Sequence, residues 1–156
     1  MELQESLFDD SIYIVDNRPN LNSNNSVGTI SEIEFMSMAA RNGFVVFVPI
    51  GHNQKADLVI WKKPNRPISV QVKKAVLRES GTWQVSTSSK KPSCFTNKNN
   101  SDSLHTNYIE GDFDVLAAYI LERNCWALWR LKDIVGSSGI TWDGSPINNF
   151  ELLNHI

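Results

Sequence analysis

The sequence predicts a single domain of the mixed α/β (α+β) class, with one well-marked helix and a set of short strands. Three observations carry that reading. The chain has 156 residues, 41% hydrophobic and 21% charged, so it can close one buried core and is neither fibrous nor disordered as a whole. A stretch with helical spacing, residues 29–42, is bounded by start and stop signals. Beyond it come apolar runs of strand length at 44–49, 57–61, 68–77, 113–121 and 125–131, separated by turn-forming residues.

Taken in order, SLFDDSIYIV (6–15) has enough Phe, Ile, Tyr and Val to dock as a short strand, whereas DNRPNLNSNNSV (16–27) is too rich in Asn, Ser and Asp to be regular. Residues 1–27 are therefore expected to form an irregular lead-in and residues 28–156 the domain. Thr29–Glu32 and Ser31–Glu34 both fit the S/T-x-x-E capping box, which sets the helix start there. Ile33, Phe35, Met36, Ala39 and Ala40 continue the helix, and Gly43 ends it where a left-handed residue is needed. FVVFVP (44–49) reads as a buried strand closed by proline. DLVIW (57–61) and ISVQVKKAVL (68–77) flank the turn-forming KKPNRP and form a β-hairpin. GTWQVSTSS (81–89) is a third arm, followed by the polar stretch KKPSCFTNKNNSDS (90–103) within a basic loop at 86–103. FDVLAAYIL (113–121) and CWALWRL (125–131) make a second apolar pair joined by ERN, with Trp61, Trp126 and Trp129 read as core or interface residues. The tail from Lys132 mixes turn residues with scattered aromatics and has no assigned element.

Several function classes are excluded at this level. No apolar run reaches the ~18–20 residues that span a bilayer, and MELQESLFDD lacks the order of a secretory signal, so no membrane partner is expected. Cys94 and Cys125 have neither metal spacing nor a disulfide framework, which points to a reducing cytoplasm; Cys94 reads as a loop residue and Cys125 as a buried one. His52, His105 and His155 are isolated from one another, and without a glycine-rich phosphate loop no nucleotide cofactor is expected.

The net charge of −2 argues against a nucleic-acid partner until its distribution is considered. Residues 55–98 hold ten bases and two acids, while residues 1–54 hold seven acids and two bases, and residues 99–156 eight acids and three bases. Positive charge is thus concentrated on a limited surface, either a solvated basic hairpin and loop or a surface for phosphates. In the second reading Lys62, Lys63, Arg66, Lys74, Arg78, Lys90, Lys91 and Lys98 are the candidate DNA contacts.

The hairpin also carries the most informative spacing. Side chains alternate across a strand, so Gln71 and Lys73 share a face opposite Val70 and Val72. A turn centred near Asn65 would set Asp57 opposite Lys73. A carboxylate, an amide and an ammonium on one patch suit metal-assisted hydrolysis of a phosphodiester: Asp57 and the backbone carbonyl of Val72 as ligands of Mg2+, Gln71 as a further ligand or a positioner of water, and Lys73 orienting the attacking water. The same pattern also fits a solvated face with a cross-strand ion pair. Glu32 stands i−3, i−4 and i−7 from Phe35, Met36 and Ala39, so its carboxylate is drawn toward the core, as a second metal-site acid or as the partner of Thr29 in a cap.

Gly28-Thr-Ile-Ser-Glu32, a helix, Gly43-Phe-Val-Val-Phe-Val-Pro49, Asp57-Leu-Val-Ile and Gln71-Val-Lys73, in that order, resemble the PD-(D/E)XK nuclease superfamily. The Gln-x-Lys form is similar to that of the small homing endonucleases encoded in group I introns of cyanobacteria and their relatives. Tyr108–Tyr119 also resembles a strand segment of that family. The resemblance implies a restriction-endonuclease-like core, a central mixed β-sheet flanked by helices. It makes Asp57 the metal-binding aspartate, Gln71 the occupant of the usual acidic position, Lys73 the motif lysine and Glu32 the helical acid. It further implies Mg2+ (with Mn2+ as a substitute), cleavage of double-stranded DNA in a homing or restriction role, and a homo-oligomer, dimer or tetramer. Two alternatives stand beside it: a DNA-binding module on the same fold that has lost catalysis, consistent with Gln71 in place of an acid, and an interaction protein whose hairpin is merely basic.

Overall fold

The computed structural model describes residues 24–50, 54–90, 105–145 and 150–156. The helix α1 (Asn24–Arg41) starts earlier than the capping boxes indicate, so residues 24–27 belong to it rather than to an irregular lead-in. Ser31 is consequently inside the helix, and its Oγ donates to the Val27 carbonyl one turn back (2.8 Å) instead of capping an end. Gly43 does end the helix: at φ 81° it lets its own N–H reach the Ala40 carbonyl (3.0 Å) and the Phe44 N–H reach the Ala39 carbonyl (3.1 Å), a Schellman closure. The buried stripe is Ser31, Phe35 and Ala39, at i, i+4 and i+8, while Ile33 and Ala40 face solvent.

A five-stranded sheet follows, in the order β1 (Val45–Phe47), β2 (Leu58–Trp61), β3 (Ile68–Lys74), β8 (Val115–Ile120), β9 (Cys125–Arg130). Only β3 and β8 run parallel; the other neighbours are antiparallel, so the sheet is mixed, as the sequence predicts. Alternation in the central strand β8 sorts two cores. Val115, Ala117 and Tyr119 join Phe35, Val70, Val72 and Trp126 under α1, and Leu116, Ala118 and Ile120 face Trp83, Val85 and Trp142 on the other side. The second side is covered by strands rather than by a helix: β4 (Val76–Leu77), β5 (Trp83–Ser86) and β10 (Gly139–Trp142) form a small sheet in the order β10-β5-β4. The expected strand 68–77 is accordingly two strands, bent at Ala75, whose N–H stays on the first sheet through the Tyr119 carbonyl (2.9 Å). The start of the expected basic loop 86–103 is strand instead: Ser86 ends β5, and β6 (Ser88–Lys90) pairs with β7 (His105–Asn107); residues 91–104 lie outside the described residues, as do residues 1–23 with the expected strand at 6–15. The short helix α2 (Leu131–Ile134) and a 3-10 turn at Phe150–Asn154, which buries Leu153, complete the fold.

The apolar run 44–49 is an edge strand, not a buried one. Only Phe44 is buried, and Val45, Phe47 and Val48 are exposed, because among the described residues β1 has β2 on one side and no strand on the other. Cys125 is buried, as expected, and no described helix is long and apolar enough to cross a membrane.

Candidate active site

The site forms where β2 and β3 part. Leu58 pairs with Val70, Val59 with Ser69 and Ile60 with Ile68, so the hairpin folds about residue 64 and Asp57 falls beside Gln71 rather than opposite Lys73. The turn is tighter than a centre at Asn65 allows, since the Asn65 N–H closes onto the Lys62 carbonyl (3.0 Å) and the Trp61 indole N–H onto the Asn65 carbonyl (2.8 Å). The Asp57 N–H makes the last ladder bond, to the Val70 carbonyl (2.9 Å). One step on, the Asp57 carboxylate replaces the missing backbone: its Oδ2 accepts from the Val72 N–H (2.8 Å) and from the Gln71 amide Nε2. That amide also donates to the Val72 carbonyl (3.2 Å). Gln71 therefore turns its nitrogen, not its oxygen, toward Asp57, and fixes both the carboxylate and the carbonyl of the same corner.

By alternation Asp57, Gln71 and Lys73 lie on the sheet face turned away from α1. Glu32 belongs to α1, which packs on the other face of β3, and is near enough that its charge acts on Asp57 and Lys73. Its position nine residues inside α1 removes the capping role, and its carboxyl is raised above the usual range by burial, then by the negative charge of Asp57, against the opposing pull of Lys73. Burial also raises the Asp57 carboxyl, outweighing the Val72 N–H, the Lys73 charge and the Gln71 amide. Lys73 is shifted the other way, lowered by burial although Asp57 and Glu32 both favour its charged form. Opposed displacements in adjoining groups are the arrangement that a site performing acid–base or metal chemistry requires.

Two residues outside the sequence reading complete the cluster. The Lys73 ammonium sits 5.5 Å from the centre of the Tyr108 ring, and the Lys55 ammonium lies 5.8 Å from the same ring. Lys55 is two residues before Asp57, so strand alternation could have placed it on the same face; Tyr108 comes from beyond the basic loop, and no local spacing connects it to Asp57.

The candidate DNA contacts divide between the two ends of β2 and β3. Lys62, Lys63 and Arg66 occupy the hairpin turn, roughly 13–17 Å from Asp57 at 3.3–3.4 Å per residue. There Lys62 donates to the Asn42 carbonyl (2.9 Å), Lys63 lies over the Trp61 ring, and Arg66 forms a two-point pair with Asp114 (2.7 and 3.2 Å). Lys74 and Arg78 follow the site along the chain, at and beyond the end of β3; Lys90 ends β6, while Lys91 and Lys98 lie outside the described residues. His52 also lies outside them. A cavity of about 460 Å3 opens at the far end of the sheet beside Arg66, Ser69, Asp114 and Arg130, away from the acid cluster.

Among the described residues no group of three or more His, Cys, Asp or Glu side chains converges. The donor set at the corner is instead two carboxylates and a carbonyl, all oxygen, which fits a small hard cation that keeps several of its waters. The family model for PD-(D/E)XK endonucleases matches residues 22–139, a span that contains the whole cluster. The chain belongs to the PD-(D/E)XK endonuclease family. Membership of this family assigns it to the nucleases. Its fold is similar to that of the bacterial homing endonuclease I-Ssp6803I, with a TM-score of 0.71 at 20% identity over 85% of this chain and 94% of that one. No curated protein matches the sequence.

Proposed function

We propose that this member of the PD-(D/E)XK family is a metal-dependent, site-specific endodeoxyribonuclease that hydrolyses phosphodiester bonds of double-stranded DNA. The observation that carries the reading is the convergence of Glu32, Asp57 and Lys73, each pushed off its ordinary pKa, at the fork of β2 and β3. Asp57, Glu32 and the Val72 carbonyl would hold Mg2+, or Mn2+ in its place. Bound there, a divalent cation supplies an activated water and offsets charge on the phosphorus oxygens. Gln71 needs no charge in this arrangement: it orients the Asp57 carboxylate. Lys73, held half out of water, orients the attacking water or donates to a non-bridging oxygen as water adds to phosphorus and the P–O bond to one sugar breaks; the water's proton passes to solvent and the departing sugar oxygen takes one from solvent to leave as a hydroxyl. One such cluster per chain is available among the described residues, and a duplex has two strands to cut, so the active form is a homo-oligomer.

The test is supercoiled plasmid and long genomic DNA incubated with the full chain in Mg2+ and in excess chelator. Nicked and linear products in Mg2+ alone are expected. Binding of duplex DNA with no cutting on any substrate would instead assign a binding module on the nuclease fold.

A further inference from the structure

We propose that Lys55 is a second cation of the site, placed with Lys73 on the ring of Tyr108 to hold a backbone phosphate of the DNA strand being cut. This rests on the nuclease reading above and adds a substrate contact to it. Tyr108 is nearly fully buried and rigidly set: its ring meets Phe113 edge-on at 4.7 Å, and its N–H is tied to the Thr87 carbonyl (3.2 Å). Both ammonium groups lie within the ~6 Å at which a ring face attracts a cation. Ser89 fixes Lys55 from a third direction, accepting from its Nζ at 3.3 Å.

The electrostatics separate the two lysines. Lys73 feels the charges of Asp57 and Glu32, which favour its protonated form, and of Lys55, which opposes it. Lys55 thus stands near Lys73 on the Tyr108 ring, held there by the Ser89 hydroxyl, and no carboxylate among the described residues pairs with it. Two ammonium groups sharing one ring, the Lys55 group without an acidic partner among the described residues, form a place for an anion. A phosphodiester that approaches the Asp57–Glu32 corner with its reacting phosphorus brings non-bridging oxygens of the required charge. The ring gives this arrangement its precision, since a lysine free in solvent would swing away from its neighbour.

The experiment uses the full chain with Lys55→Gln and, as rescue, Lys55→Arg. Duplex binding is measured in Ca2+ across a salt series, cleavage in Mg2+, and the melting temperature of each variant. Loss of one phosphate contact predicts a salt slope shallower by about 0.9 for Lys55→Gln and a cutting rate down roughly 10- to 100-fold, with an unchanged melting temperature and substantial recovery in Lys55→Arg. An unchanged slope and affinity in Lys55→Gln overturns the inference, whether or not the wild type cuts. A wild type that binds but never cuts overturns the nuclease reading, and the slope then still decides whether Lys55 holds a phosphate.

Discussion

Asp57→Asn should stabilise the protein while abolishing its activity. The substitution keeps the shape of the corner: an amide oxygen can still accept from the Val72 N–H, now 2.8 Å from Oδ2, and from the Gln71 amide. Making these bonds neutral instead of charge-assisted costs about 1–1.5 kcal/mol. Against that cost, burial and the neighbouring Glu32 already penalise the ionised carboxylate, since both groups have raised pKa values. A carboxyl raised on folding contributes stability below its unfolded value of 3.8 and loses it as pH climbs through the folded value. Above that window the charge is a net liability, so its removal is favourable by more than the bonds lose. One kcal/mol corresponds to about 2–4 °C for a chain of this size, so the expected shift at pH 8 lies between zero and roughly +4 °C, shrinking toward pH 4. Cutting should fall by about 10²–10⁴, the effect of several kcal/mol of lost metal-site stabilisation. Thermal melting by tryptophan fluorescence at both pH values, beside a cleavage assay in Mg2+, reads both arms. A melting temperature lowered by more than ~3 °C at pH 8 would refute the charge balance described here.

Glu32→Gln should likewise cost orders of magnitude in cutting with no loss of melting temperature, because Glu32 sits inside α1 and caps nothing. Lys73→Met should raise the melting temperature at pH 7 while removing activity. A lysine lowered by burial contributes fully above its unfolded value of 10.5 and loses that contribution as pH falls through the folded one, so its charge is costly near neutrality. Asp114→Ala should destabilise by about 1–3 kcal/mol, since it strips an acceptor from the Ser69 N–H and hydroxyl as well as from Arg66. Burial works against the Asp114 carboxylate but hydrogen bonds from Arg66 and Ser69 outweigh it, so this stability is present above pH 3.8 and lost as pH falls through the lowered value; acid melts of the two proteins should therefore converge. Phe35→Ala, at a wholly buried ring edge-on to Trp126 (5.4 Å), should cost about 3–5 kcal/mol by chemical denaturation.

Much of the fold is legible in sequence because local chemistry and burial agree there. Gly43 marks the helix end through its backbone, and the 57–61, 68–74, 113–121 and 125–131 runs are apolar because sheet faces demand it. What escapes is set by distant parts of the chain. FVVFVP is uniformly apolar, so nothing in it distinguishes an edge strand from a central one. The helix start at Asn24 lies in a polar stretch whose composition favours turns, while its inward stripe is held by tertiary packing of Phe35 and Ala39. The break at Ala75 goes with a second sheet in which β5 pairs with β10 more than fifty residues later. At the site, Asp57, Gln71 and Lys73 follow from strand alternation, but their register rests on a turn geometry that the residues KKPNRP leave open by one position. Tyr108 joins from across the basic loop, which no periodicity could disclose.

Glu32 and Asp57 are proposed to make one cation site together, and binding of Mn2+ to the full chain, followed by electron paramagnetic resonance without DNA, tests it independently of any target sequence. The wild type should take up one Mn2+ per chain, displaceable by Mg2+, and both Asp57→Asn and Glu32→Gln should lose it. Unaltered Mn2+ binding in the two variants, or none in the wild type at millimolar metal, would show that the two carboxylates do not form a cation site.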